Sequence, residues 1–177
     1  MSREKGSVAE RQVAAILERW WRQLEPDARF VRTPLSGGWH GPDVRTEFRA
    51  SGDLMTTAQR FPFAVEVKRR EAWSFEEMVA GRASPVWAWW RQAQGQAREM
   101  RCEPLLVFRR NREGWHAMLR EDYARAKLDA LGPRHKGLVF GWNREGPLLG
   151  QNFGEHWPGL LDFNHLLAVP PLRFVSV

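Results

Sequence analysis

The sequence has 177 residues, of which 43% are hydrophobic and 27% charged, a composition typical of one globular domain. Its single cysteine, Cys102, excludes an internal disulfide framework and a cysteine-rich zinc site. No run of about 18 apolar residues is present, and the charged N-terminus lacks the apolar stretch of a signal peptide. These features predict a protein of the reducing cytoplasm, with no membrane contact.

The chain is strongly basic, with a formal net charge of +6 and a pI of about 10.4. This charge favours a polyanionic partner, most often a nucleic acid. Arginine supplies most of the positive charge, and lysine stands at positions 5, 68, 127 and 136. A lysine inside a predicted strand, Lys68, is therefore unusual in this sequence.

The spacing of apolar residues predicts an α/β domain with a mixed sheet, because a helix is followed by several strands, a second helix and a further strand. In chain order the predicted elements are a helix over 7–24, a strand over 30–32, a glycine-rich loop over 35–41, extended segments over 43–49 and 53–56, a strand over 63–68, a helix over 87–100, strands over 104–108 and 115–119 joined through 111–114, and a helix over 121–131 capped by Gly132. The stretch after Leu131 is rich in glycine and proline, which obscures any periodic pattern, and no element is assigned there.

The strand over 63–68 carries the sharpest chemical signal. Alternation along a strand places Glu66 and Lys68 on one side, roughly 6–7 Å apart, and Phe63, Val65 and Val67 on the other. A buried carboxylate and ammonium are costly unless they are paired or hold a metal. The alternative is an edge strand with a solvated polar face.

Two further acids could join Glu66. Asp53 begins the neighbouring strand, where an oxygen ligand could reach a shared Mg²⁺, although after Ser51 and Gly52 it could also be a turn residue. Glu10 lies near the apolar face of the first helix, an unusual place for a carboxylate. The alternative for Glu10 is a capping box with Ser7, which would give it a structural role.

Together these segments resemble the archaeal and phage Holliday junction resolvases of the PD-(D/E)XK nuclease superfamily. The resemblance covers roughly residues 3 to 119. It rests on Lys5-Gly6-Ser7 with Glu10-Arg11, on the serine-containing loop 32–38, on Gly52-Asp53-Leu54 with Ala64-Val65-Glu66-Val67-Lys68, and on Trp90-Arg91-Gln92-Ala93 followed by the strand 104–108. It implies a PD-(D/E)XK, restriction-endonuclease-like core: a central mixed β-sheet flanked by helices.

The resemblance also implies roles for individual residues. Asp53, Glu66 and the Val67 carbonyl would bind Mg²⁺, for which Mn²⁺ would substitute, and no small-molecule cofactor is expected. Lys68 would position the attacking water, and Glu10 would hold a water of the metal or a second cation. The remaining assignments are Ser36 near the scissile phosphate on a moving loop, Gln92 as a supporting residue, and Arg3, Lys5, Arg69 and Arg70 as DNA contacts, for which solvated surface charge is the alternative.

Two acids compete for the first metal position, because Pro42-Asp43 also spells the letters of the motif. Asp53 is preferred, since apolar Leu54 and Met55 follow it and a short connection leads to the strand of Glu66. The whole chain, 1–177, is predicted to be one nuclease domain, with a core over about 3–119. Residues 120–177 form an extension to which no role is assigned.

The predicted function is resolution of four-way DNA junctions by a homodimer, through symmetric phosphodiester hydrolysis in a bacterial, archaeal or phage-infected cell. One alternative is another nuclease of the same superfamily, such as a repair or restriction enzyme. The other is a basic DNA-binding module without catalytic activity. Metal-dependent nicking would separate the module from the nucleases, and a comparison of substrates would separate the two nucleases.

Overall fold

The computed structural model describes residues 3–33, 47–80, 82–129, 140–141 and 158–175. The helices are α1 (Arg3–Trp21), α2 (Phe75–Val79), α3 (Pro85–Met100), α4 (Glu121–Asp129) and α5 (Phe163–Ala168), followed by a 3₁₀ helix (Pro171–Phe174). The strands are β1 (Phe30–Arg32), β2 (Arg49–Ser51), β3 (Leu54–Thr56), β4 (Phe63–Arg69), β5 (Glu103–Arg109), β6 (His116–Arg120), β7 (Phe140–Gly141) and β8 (Pro158–Asp162).

The main sheet has five strands in the order β4-β5-β6-β8-β7. β4 and β5 are parallel, as the crossover through α3 requires, and the other pairs are antiparallel. β1, β3 and β2 form a second, antiparallel sheet, which meets the edge of β4 through a bridge between Gly52 and Val65. The predicted mixed sheet flanked by helices is confirmed.

The two faces of the main sheet support separate apolar layers. Val65, Val67 and Leu105 face α1 and pack with its buried side chains. Leu106 and Phe108 face the opposite layer, which is built on the tryptophans of α3. β4 and β5, the two strands at the centre of both layers, occupy the segments predicted from the sequence. β4 is one residue longer at its C-terminal end, and β5 is one residue longer at each end.

The first helix begins earlier than predicted, at Arg3, and ends at Trp21. Ser7 consequently lies inside α1 and cannot be its N-terminal cap. The capping-box interpretation of Glu10 is therefore wrong, and the Glu10 carboxylate contacts Arg32 of β1 instead. The proposed cap of the helix over 121–131, Gly132, lies outside the described residues.

The C-terminal part of the chain contributes to the main sheet, although the sequence analysis assigns no element to it. β8 pairs with β6 along five residues, and α5 covers the α1 face of the sheet through Phe163 and Leu166. Trp20 of α1 donates a hydrogen bond of 2.9 Å to the carbonyl of Val169, which ties the two ends of the chain together. None of the helices in the described ranges has the length and apolar content needed to cross a bilayer.

Candidate active site

Glu66 lies in the middle of β4 and is the most unusual side chain in the described core. It is 0% exposed, and neither carboxylate oxygen accepts a hydrogen bond of ordinary geometry. Oε1 contacts the ammonium of Lys68 as an ion pair, and the Lys68 side chain keeps 20% of its surface exposed. Burial of a carboxylate with unsatisfied oxygens is costly. This side chain is therefore suited to a positively charged ligand.

Asp53 reaches the same strand from the connection between β2 and β3. Its backbone N–H donates to the Val65 carbonyl at 2.7 Å, and its own carbonyl accepts from Thr33 N–H at 2.9 Å. Its Oδ2 accepts from the Val67 N–H at 2.8 Å. Both the backbone and the carboxylate of Asp53 are thus fixed against the edge of β4.

The approach of Asp53 to β4 depends on Gly52. This residue has φ +77°, in the left-handed region, and sits directly against Val65. Ser51 and Thr33 support the turn: Ser51 Oγ donates to the Phe63 carbonyl, and Thr33 Oγ1 donates to the Gly52 carbonyl at 3.1 Å. The sequence predicted the turn at Ser51-Gly52, but no sequence pattern indicated the contacts of Thr33.

The electrostatics show that these acids lie close to one another. Burial is the main reason that the pKa of Asp53 is raised from its ordinary 3.8 to about 7, and the charges of Glu66 and Glu10 act in the same direction. The hydrogen bond from Val67 and the charge of Lys68 act in the opposite direction. A divalent cation would offset the repulsion between Asp53 and Glu66 and favour the ionised form of Asp53.

The Val67 carbonyl also faces this region. Along β4 the Val65 carbonyl and the Val67 N–H both point away from β5, toward Asp53. Because the N–H and C=O of one residue in a strand point to the same lateral side, the Val67 carbonyl faces the Asp53 side as well. Two carboxylates and one carbonyl are a donor set that Mg²⁺ accepts, with water and phosphate completing its shell.

Glu10 approaches from α1 and is half-buried. Its Oε2 contacts Nε of Arg32, an interaction absent from the sequence prediction because it joins α1 to β1. Within the described ranges, no three Asp, Glu, His or Cys side chains are already gathered closely enough to hold one cation. A divalent cation at this site would therefore be bound mainly by Asp53 and Glu66. Glu10 lies further out, where it contacts Arg32.

The other predicted site residues are distributed as follows. Ser36 and Asp43 lie outside the described residues, and Arg3 and Lys5 lie in the first turns of α1. Arg69 and Arg70 follow Lys68, where Arg69 is half-buried and Arg70 exposed. Gln92 is exposed on α3, on a face that does not pack against β4, so the structure does not bring it to the acids.

The raised pKa of Asp53 leads to a prediction about metal-free protein. The folded state binds a proton at Asp53 that the unfolded state releases between about pH 4 and 7, so the free energy of unfolding should fall as pH rises through this range. Asp53→Asn should remove this decline and raise the melting temperature at pH 8, because Asn keeps an acceptor for Val67 without the charge. Melting curves in EDTA from pH 5 to 8 measure the difference. A constant offset between wild type and variant across this range would contradict the assignment.

Comparison with known proteins gives one match. A family model described as "Phage putative PDDEXK endonuclease" matches residues 1–134 of the 177. No curated protein and no solved structure matches this chain.

Proposed function

The chain belongs to this phage PDDEXK endonuclease family, and from that premise we propose that Asp53, Glu66 and Lys68 hydrolyse DNA phosphodiester bonds with Mg²⁺ as cofactor. The observation that carries the proposal is the fully buried carboxylate of Glu66, which accepts no hydrogen bond and pairs with Lys68, beside Asp53 at the edge of β4. Such a pair is costly in the metal-free protein and becomes favourable when a cation neutralises it.

Each residue has a distinct part in the proposed reaction. Asp53, Glu66 and the Val67 carbonyl would hold the cation, which would supply Lewis-acid chemistry at the phosphate and a more acidic water near neutral pH. Lys68 is partly exposed and therefore can reach a phosphate, where its ammonium orients the attacking water and offsets the growing negative charge. Mn²⁺ would replace Mg²⁺, since it also accepts carboxylate, carbonyl and water ligands. Arg32 holds Glu10 toward the same site as an outer carboxylate.

We further propose that the substrate is a four-way DNA junction and that the enzyme is a two-fold homodimer. The support is the sequence resemblance to junction resolvases, together with the presence of one D…ExK set in the chain. Resolving a junction needs two symmetric cuts, and a two-fold dimer supplies two sites in that relation. Arginine contacts to phosphate bind DNA without reading its sequence, which suits recognition of DNA shape.

The junction proposal predicts a substrate preference that does not depend on sequence. Binding to four-way junctions should be at least about tenfold tighter than to duplexes of the same strands, and should weaken steeply with salt. Competition binding in EDTA, with two junctions of unrelated sequence, measures the preference for junction over duplex. The molar mass of the protein in solution tests whether it is a dimer. A monomer at micromolar concentration, or equal affinity for junction and duplex, would favour another nuclease of the superfamily.

A further inference from the structure

Two arginines lie side by side at the carboxyl ends of the parallel strands β4 and β5. Arg69 and Arg109 are register partners, so both side chains project from the same face, on strands about 4.8 Å apart. Burial lowers the pKa of Arg109, and the charge of Arg69 lowers it further. Like charges directly opposite each other destabilise a sheet, so this arrangement is unfavourable in the DNA-free protein.

Neutral groups hold both arginines in place. Arg69 Nε donates to Asn111 Oδ1 at 2.7 Å, and Arg109 Nη2 donates to Gln12 Oε1 at 2.8 Å. The Arg109 guanidinium also lies over the Trp115 ring, 4.2 Å from its centre. In the part of the chain that the structure describes, no carboxylate forms an ion pair with either arginine. Both groups are therefore oriented while keeping their full charge.

Several arginines elsewhere in the described structure have a carboxylate partner. Arg22 pairs with Glu18 at 2.8 Å, and Arg125 pairs with Glu121 at the same distance. The charges of these arginines are compensated within the protein, and the i,i+4 ion pairs stabilise the helices in which they lie. Two oriented, uncompensated guanidinium groups are instead suited to an oxyanion with several acceptors, such as a phosphate.

The position of the pair connects it to the proposed active site. Arg69 directly follows Lys68 at the end of β4, and alternation directs the two side chains to opposite faces, with Arg69 on the α1 face, where Gln12 contacts Arg109. Beyond β5 the chain turns through Asn111, and exposed Arg112 comes next, so a third positive charge lies on the same end of the sheet. Of the nearby acids, Glu71 accepts from the Asn111 N–H at 2.8 Å, and Glu113 lies 3.5 Å from Arg110 Nε.

We propose that Arg69 and Arg109 form an arginine clamp that binds a backbone phosphate of DNA at the carboxyl ends of β4 and β5, with Arg112 as an outer phosphate contact. Gln12 and Trp115 are positioning residues for this clamp. The proposal rests on the proposed function, because it gives the clamp the task of fixing the DNA strand while Asp53 and Glu66 face the reacting phosphate.

The test measures DNA binding in EDTA, where no cleavage occurs, with a labelled duplex and a labelled four-way junction over a series of NaCl concentrations. Arg109→Gln and Arg112→Asn should each weaken binding roughly eightfold near 0.1 M salt and lower the salt slope by about 0.9, the value of one phosphate contact. Arg109→Lys should keep the wild-type slope, because it keeps the charge.

Arg101→Asn is a matched control for Arg112→Asn. Both arginines are exposed and left-handed, with φ 54° and 63°, and asparagine tolerates that conformation. Arg101 precedes β5 whereas Arg112 follows it, so the length of the strand, about 20 Å, separates them. Arg101→Asn should therefore leave affinity and salt slope unchanged.

The proposal is overturned if Arg109→Gln and Arg112→Asn bind like Arg101→Asn, or if Arg109→Lys loses as much affinity as Arg109→Gln, which would indicate a structural role. Should Arg109→Gln fail to fold, the exposed Arg112 variant decides the result by itself. A failure of the junction proposal looks different: wild type would then bind duplex and junction equally, while the arginine variants would still lose affinity for both.

Discussion

Glu66→Gln should lower the rate of DNA cleavage by at least about a hundredfold while DNA binding stays close to that of wild type. A hundredfold corresponds to about 2.7 kcal/mol of transition-state stabilisation. The carboxamide has nearly the same shape, but it is a weak ligand for a hard divalent cation and leaves Lys68 without its ion-pair partner.

Single-turnover cleavage with saturating enzyme and Mg²⁺ measures this effect separately from binding. Asp53→Asn and Lys68→Ala should give losses of similar size. Asp43→Asn is the control, because the same change at the competing Pro-Asp pair should leave most activity intact. Normal cleavage by Glu66→Gln would reject the site, and an inactive Asp43 variant beside an active Asp53 variant would reverse the choice of ligand.

Gly52→Ala should lower the free energy of unfolding more than an alanine at Gly6, Gly95 or Gly114 would. A Cβ at Gly52 would lie 2.3 Å from the Val65 carbonyl oxygen and 2.8 Å from both Val65 C and N, at a φ of +77°. All three atoms are backbone atoms of β4, so no side-chain rotation can relieve the contact. Left-handed strain and overpacking together should cost about 3 kcal/mol or more, which is a fall of about 6–12 °C in melting temperature.

The same substitution should also abolish cleavage at temperatures where the protein remains folded, because relief of the clash moves Asp53 away from Val67. Gly95→Ala is the matched control: nothing lies within 4 Å of its added Cβ, and it sits inside α3. There alanine should raise stability by about 0.5–1 kcal/mol through helix propensity. Equal melting temperatures for the two variants would show that β4 and the Gly52 turn can separate without cost.

The parts of the site that follow from local periodicity were predictable from the sequence. The two-residue repeat of β4 places Glu66 and Lys68 on one side whatever the rest of the chain does. The contact of Glu10 with Arg32 was not predictable, because it depends on how α1 packs against β1. The opposition of Arg69 and Arg109 likewise depends on the register between strands that are 40 residues apart in the chain.

In the fold, too, elements set by local sequence were predictable and elements set by contacts between distant segments were not. Strands with continuous apolar runs, such as β4 and β5, were placed within a residue or two. β8 was missed, because the glycine and proline of Pro158-Gly159 mask a strand that is stabilised by pairing with β6 and by burial of Leu160 and Leu161. Tertiary context overrides local propensity at this position.

β8 lies between β6 and β7 in the main sheet, whereas the family match ends at residue 134. The portion of the chain that matches the family therefore leaves the backbone groups of β6 from His116 to Arg120 without a partner on one side. An open, apolar strand edge of this kind invites pairing with other chains. A protein that had just this portion would need another segment or a second subunit to close the edge, which lies on the side of the sheet opposite Asp53 and Glu66.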